Sequence, residues 1–276
     1  MNPLLPDGQA LELLFESPDL PRFPLPDALA ACYGGALGFS QPRLYANFVA
    51  SVDGVVALRE GTNSGSVISG HSAADRFVMA LLRACAGAVL VGAGTFRATP
   101  GHLWHAGQVY PAGAALFAEL RGRLGLAPEP LLVLISASGN LDPSHPALRH
   151  PTLVATTSEG AARLRGRLPE QTQVAALADG PISMAAVLSA LHERGHRLVL
   201  TEGGPTLVGQ LIAEGLLDEL FLTTAPSLFG RTANDGRKTL VEDVDISGSA
   251  LALLSARRHG SFLFLRYALS HALRAT

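Results

Sequence analysis

Short runs of consecutive apolar residues alternate along this chain with stretches whose apolar positions recur every three or four residues. Leu198, Val199 and Leu200 form one such run, as a strand buried on both faces would. Gly203-Gly204-Pro205 then forces a turn, and Pro205 suits the first position of a helix, where no N–H is needed. Leu207, Val208, Leu211 and Ile212 follow at helical spacing until Gly215 stops the run. The same reading predicts strands over 43–50, 88–91, 131–136, 152–155, 173–176 and 219–224. Helices are predicted over 112–122, 159–167 and 182–194. Another opens at Ser72, with Phe77, Val78, Leu81, Leu82 and Cys85 as its apolar face. A closing hairpin over 250–257 and 261–267 turns near His259-Gly260. Strands alternating with helices, and an antiparallel hairpin at the end, predict an α/β fold: a mixed, mostly parallel sheet with helices on both faces.

Residues 1–42 break this rhythm. They hold seven prolines and little periodicity beyond 11–15 and 28–32. They are read as an extension with short helical pieces, draped over the domain or a partner subunit, and 43–276 as a single domain. Residues 61–70 are read as a flexible polar loop, and 54–70 as a mobile lid.

Composition narrows the classes. Of 276 residues 48% are apolar, enough for a sizeable core. The net charge is −2 and the basic residues are scattered, which argues against a nucleic-acid or membrane-surface partner. No apolar run reaches membrane-spanning length, and no basic-then-apolar leader opens the chain. Cys32 and Cys85 are too few for a disulfide framework or a zinc cluster. A cytoplasmic protein is expected.

Two glycine-rich turns follow strongly apolar strands: Gly92-Ala93-Gly94-Thr95, and Gly203-Gly204-Pro205. Such turns bring backbone N–H groups and a helix start close to phosphates, and Arg97 could pair with one. Neither is a Walker loop or a Rossmann fingerprint; strand-to-helix packing is the plain alternative. Two of them at neighbouring strand ends could grip a dinucleotide across a crevice. Asp53 and Glu202 are the strand-end carboxylates able to give a proton or anchor a substrate, with an Asx-turn and a cap as their structural alternatives. Arg83 could hold an acidic substrate. His102, Trp104 and His105 could stack on a planar ligand or anchor a loop. His192-Glu193-Arg194-Gly195-His196 matches the zinc-protease pattern, yet Gly195 ends helices, so His196 is expected outside the helix and no metal is predicted.

In order and spacing, Ser51-x-Asp53-Gly54, Leu90-Val91-Gly92-Ala93-Gly94-Thr95-x-Arg97 and Glu202-Gly203-Gly204-Pro205-Thr206-Leu207 resemble the riboflavin-biosynthesis reductase domain, the pyrimidine reductase family. Leu216-Leu217-Asp218-Glu219-Leu220 and Ala225-Pro226-x-Leu228-x-Gly230 extend the resemblance. It implies a dihydrofolate-reductase-like three-layer fold, a homodimer, and NADPH-dependent reduction of a pyrimidine, 5-amino-6-(5-phosphoribosylamino)uracil or similar. It places Ala50, Gly92, Ala93, Gly94, Thr95, Arg97, Gly203, Gly204, Pro205, Thr206 and Leu207 on the cofactor. Ser136 falls near the 2′-phosphate, and Ser69, Arg83 and Glu202 face the substrate. Asp53, Glu202 or water would supply the proton. The chain departs from the family at Thr99-Pro100-Gly101, where an acidic pair and a proline are usual. A later arginine for the substrate phosphate is missing, as is the deaminase zinc motif. Reduction of dihydrofolate, a pteridine, and non-catalytic dinucleotide binding stay open as alternatives.

Overall fold

A computed structural model describes residues 4–59, 62–232, 235–246 and 248–269. Ten strands among them form one sheet. In chain order they are β1 (Glu12–Glu16), β2 (Arg43–Ser51), β3 (Ala88–Gly92), β4 (Leu131–Ile135), β5 (Thr152–Thr157), β6 (Thr172–Ala178), β7 (Leu198–Thr201), β8 (Glu219–Ala225), β9 (Leu251–His259) and β10 (Phe262–Leu269). The spatial order is β1-β9-β10-β8-β2-β7-β3-β4-β5-β6. From β8 to β6 every pairing is parallel; β10, β9 and β1 add an antiparallel edge. The helices are α1 (Asp27–Tyr33), α2 (Ser64–Ile68), α3 (Ala73–Cys85), α4 (Ala93–Ala98), α5 (Ala106–Val109), α6 (Ala114–Arg123), α7 (Ser158–Leu164), α8 (Met184–Glu193) and α9 (Pro205–Ala213).

The unbroken apolar runs follow from burial on both faces. In β3, Val89 and Val91 join Phe77 and Leu81 of α3 and Phe117 of α6 in one core. Ala88 and Leu90 point the other way, into a second core with Val187 and Leu191 of α8 and Val208 and Leu211 of α9. Each large side chain fully withdrawn from water contributes roughly 1.5–3 kcal/mol, so the two-faced strands anchor the molecule. Helix α3 starts as its sequence predicts, with Ser72 Oγ accepting from Asp75 N at 3.3 Å. Its far end is held by Arg121 of α6, whose guanidinium donates to the carbonyls of Arg83, Ala84 and Ala86, the orphan acceptors of a helix C-terminus.

The structure corrects two expectations and adds one element. Residues 11–15, read as helical, contain strand β1, paired with β9; an edge strand lies half in solvent, and Leu13, Leu14 and Phe15 are about half exposed. Residues 4–42 also send Leu5, Leu11, Leu29, Leu37 and Phe39 into the core shared with α3. The expected loop over 61–70 contains α2, whose start is capped by Asn63 accepting from Ser66 N; Gly61 itself lies outside the described residues. The first glycine turn is itself a helix start, because Gly92 is the cap of α4 and Gly94 and Thr95 are already helical. No helix among the described residues is long and apolar enough to cross a membrane.

Candidate active site

Parallel strands aim their carboxyl ends the same way, and a crevice opens beyond them. Strand β7 lies between β2 and β3, so the two glycine-rich turns are neighbours. Glu202 N donates to Leu90 O at 3.1 Å, fixing the second turn against β3. A Cβ on Gly204 would stand 3.5 Å from Thr95 Oγ1, and one on Gly203 only 2.4 Å from Leu207 Cδ2. Any side chain at Gly203 would have to displace Leu207, so glycine lets the turn pack closely on α9. Over these turns lies a cavity of about 920 Å³, in the upper part of the usual range for small-molecule sites, about 300–1,000 Å³.

Gly92, Gly94, Thr95, Arg97, Gly203, Gly204, Pro205, Thr206, Leu207, Ser69, Arg83 and Glu202 all line this cavity. Ala50, Ala93, Ser136 and Asp53 do not. Ala50 is buried in β2 opposite Thr224. Ser136 follows the cavity-lining Ile135; it is buried, and its hydroxyl has no hydrogen-bond partner. Asp53 is spent on the backbone: it accepts from Ser51 Oγ at 2.6 Å, Gly230 N at 2.6 Å and Phe229 N at 3.2 Å. The Ser51 hydroxyl and these amides hold its carboxyl below the usual carboxylate range. The local turn is closed by Ser51 instead, whose Oγ accepts from Val55 N at 3.0 Å, while the Asp53 carboxylate ties the end of β2 to the segment after β8. The His-Glu-x-x-His match also dissolves. Helix α8 ends at Glu193 and Gly195 takes φ +86°, which carries His196 out of the helix.

The deep end of the cavity is a buried charged network. Arg83, 2% exposed, donates to both carboxylate oxygens of Glu202, at 3.0 Å from Nε and 2.6 Å from Nη2. It also donates from Nη1 to Leu103 O at 3.2 Å, and Nη2 lies 2.8 Å from His102 Nε2. A guanidinium can only donate, so His102 Nε2 accepts and the ring is neutral. Burial and the Arg83 charge push its pKa down to about 3. Trp104 stands edge-on to His102, with ring centroids 4.9 Å apart, and lines the cavity beside it. His102 is thus anchored to Arg83, and of the three rings His102 and Trp104 line the cavity while His105 does not.

Asp75 went unnoticed in the sequence beyond its place in the α3 cap. It is 5% exposed and lines the cavity. Burial raises its pKa to about 6; the Thr223 and Ser69 hydroxyls oppose the rise and the Glu202 charge adds to it. The available signal was a stripe on α3, where Asp75, Arg76, Met79 and Arg83 recur at helical spacing against an apolar opposite face. At the shallow end, Arg59, Arg97 and Lys238 line the cavity with no ion pair among the described residues. Unpaired cations around a crevice draw in an anionic ligand. Chemically, the arrangement offers glycine-lined backbone, anion-seeking cations, a hydrogen-bond acceptor in Glu202 and, in Asp75, a carboxyl whose pKa is raised toward neutrality.

Comparison with known proteins agrees with this geometry. The RibD C-terminal domain family matches residues 42–264. A curated relative from Archaeoglobus fulgidus, named 2,5-diamino-6-ribosylamino-4(3H)-pyrimidinone 5′-phosphate reductase, is 26% identical over 223 residues, covering 77% of this chain and 97% of the relative. Riboflavin biosynthesis protein RibD of Escherichia coli is 26% identical over 197 residues, covering 70% of this chain and 50% of that protein. Among solved structures, a pyrimidine reductase-like protein from Corynebacterium diphtheriae superposes with a TM-score of 0.67 at 25% identity, covering 83% of this chain and 92% of that one. The sheet order, the two helical layers and the closing hairpin are the dihydrofolate-reductase-like arrangement that the sequence resemblance implied. The chain belongs to the RibD C-terminal domain family.

Proposed function

We propose that the protein is an NADPH-dependent reductase of a phosphorylated ribosylaminopyrimidine. The observation that carries this reading is the meeting of both glycine-rich turns over one cavity whose far end holds Arg83, Glu202 and Asp75. The residues fit the coenzyme: a glycine-lined cradle that a Cβ would fill, and the buried, unpartnered Ser136 hydroxyl one residue beyond the cavity wall, suited to a 2′-phosphate. Gly92, Gly94, Thr95 and 203–207 would hold it, and bound there it supplies a hydride. Arg59, Arg97 and Lys238 receive phosphate charge, in place of the missing family arginine. Glu202, braced by Arg83, accepts from ring N–H groups. Asp75 rather than Asp53 carries the proton that must reach the substrate nitrogen as the imine carbon is reduced. Residues 54–59 and α2 close over the substrate as a lid.

The substrate class rests on the Archaeoglobus fulgidus relative, 26% identical and named for the 2,5-diamino pyrimidinone phosphate. The uracil compound expected from the sequence differs from it on the pyrimidine ring, so both are to be assayed. Exposed Leu13, Leu14, Phe15, Leu251, Leu253 and Leu263 on β1, β9 and β10 support a homodimer, read out by sedimentation. The buried free thiols Cys32 and Cys85 suit the reducing cytoplasm.

The test is a fluorescence titration of NADPH against NADH, then coenzyme oxidation with each pyrimidine and with dihydrofolate. Tighter NADPH binding and turnover of a pyrimidine are expected. Turnover of dihydrofolate alone selects the alternative substrate. Coenzyme binding without oxidation by any of the three leaves a binding protein.

A further inference from the structure

Outside the cavity, one group among the described residues brings three metal-ligating side chains together: His105, Glu129 and His150, with ligand atoms all within 4.8 Å of one another. They come from three separate connections. His105 caps α5, Glu129 precedes β4, and His150 lies at the end of the turn before β5. All three are half-buried. His150 Nδ1 and Glu129 Oε2 are 2.8 Å apart, which a hydrogen-bonded pair alone would explain. The third member is what that pair does not explain. The His105 ring stands 5.7 Å from the His150 ring, centroid to centroid, and makes no hydrogen bond among the described residues.

We propose that His105, Glu129 and His150 bind a late first-row divalent cation, zinc under cellular conditions. Two imidazole nitrogens and one carboxylate oxygen are a donor set that zinc accepts at about 2.0–2.2 Å, whereas calcium and magnesium take oxygen ligands. Ligand atoms of a tetrahedral site lie roughly 3.3 Å apart, so the group must contract by side-chain rotation. Lying on connections rather than inside strands, the three residues are free to do so. Three protein ligands leave a fourth position for water. The ion would pin the connection over 99–105 to the starts of β4 and β5. That connection carries His102 and Trp104, which line the cavity, so the metal stiffens a wall of the site without touching the reaction. This inference stands whether or not the proposed substrate is correct.

The decisive measurement is metal content of the full-length protein, stripped with a chelator, dialysed against Zn²⁺ and analysed by mass spectrometry. About one equivalent is expected, with a rise in melting temperature on adding the ion. His105→Ala and Glu129→Gln should each weaken zinc binding by more than about tenfold, the loss that an outer-shell change alone can cause. His192→Ala, in the discarded zinc-protease match, should leave binding unchanged. Co²⁺ substitution adds a readout independent of folding yield: the visible spectrum of a four- or five-coordinate ion in the parent, absent from His105→Ala. Sub-stoichiometric zinc in the parent protein, or zinc binding that survives both His105→Ala and Glu129→Gln, overturns the proposal.

Discussion

Asp53, just beyond β2, and Asp75, on α3, have opposite fates. Asp53 is exposed at the tip of β2 and is surrounded by donors, which favour its charged form. Asp75, at the start of α3, is withdrawn from water and faces the Glu202 charge, and both disfavour ionisation. A carboxylate at a strand end looks like the natural proton donor, because active sites gather there. Solvation decides otherwise: donors make a structural clasp, burial makes an acid. A sequence displays position along the chain and hides solvation.

That contrast can be broken or sharpened by mutation. The largest effect is expected from Arg83→Ala, which strands Glu202 as an uncompensated buried charge. Loss of one partner of a buried pair costs about 3–5 kcal/mol, measurable by urea unfolding. It also leaves Asp75 facing an unneutralised carboxylate, which raises its pKa further.

Asp75→Asn comes next. It should lower turnover by about 10²-fold or more, the usual contribution of a general acid, while coenzyme affinity in the fluorescence titration stays unchanged. Unaltered turnover would remove Asp75 from the reaction.

The stability of the same variant gives a third test. The folded pKa of Asp75, about 6, lies above the ordinary aspartate value of 3.8, so the folded state binds the proton more tightly. Stability from this group is full below the lower value and lost as pH rises through the higher one. Between about pH 3 and about pH 7 the parent should therefore lose on the order of 3 kcal/mol relative to Asp75→Asn.

Asp53→Asn should have the smallest effect: a slight drop in melting temperature with turnover unchanged. Its folded pKa is lowered, so its contribution is present above the unfolded value and lost as pH falls through the folded one. Both variants should coincide with the parent at low pH and part from it in opposite directions as pH rises, Asp75→Asn the more stable and Asp53→Asn the less.

The layered α/β plan was readable because strands buried on both faces cannot hide: Leu198–Thr201 and Ala88–Gly92 are unbroken apolar runs. The cradle was readable for a similar reason, since Gly203 and Gly204 mark backbone that must pass close to something. Asp75 was not, because its meaning depends on Thr223 and Glu202, far away in the chain. Nor was β1. Its residues Glu12–Glu16 show no alternation of apolar and polar positions, and an edge strand gains its identity from the partner it pairs with. His105, Glu129 and His150 fall outside every ligand spacing a motif could encode.

Strand β1 carries one more consequence. The family match begins at residue 42, which invites trimming everything before it. A chain starting at Arg43 would leave β9 with a bare row of amides and carbonyls beside exposed Leu251 and Leu253. Such a border recruits whatever extended peptide is nearby, including another copy of itself. The leading segment thus acts as a selvedge, keeping the woven part from unravelling into its neighbours.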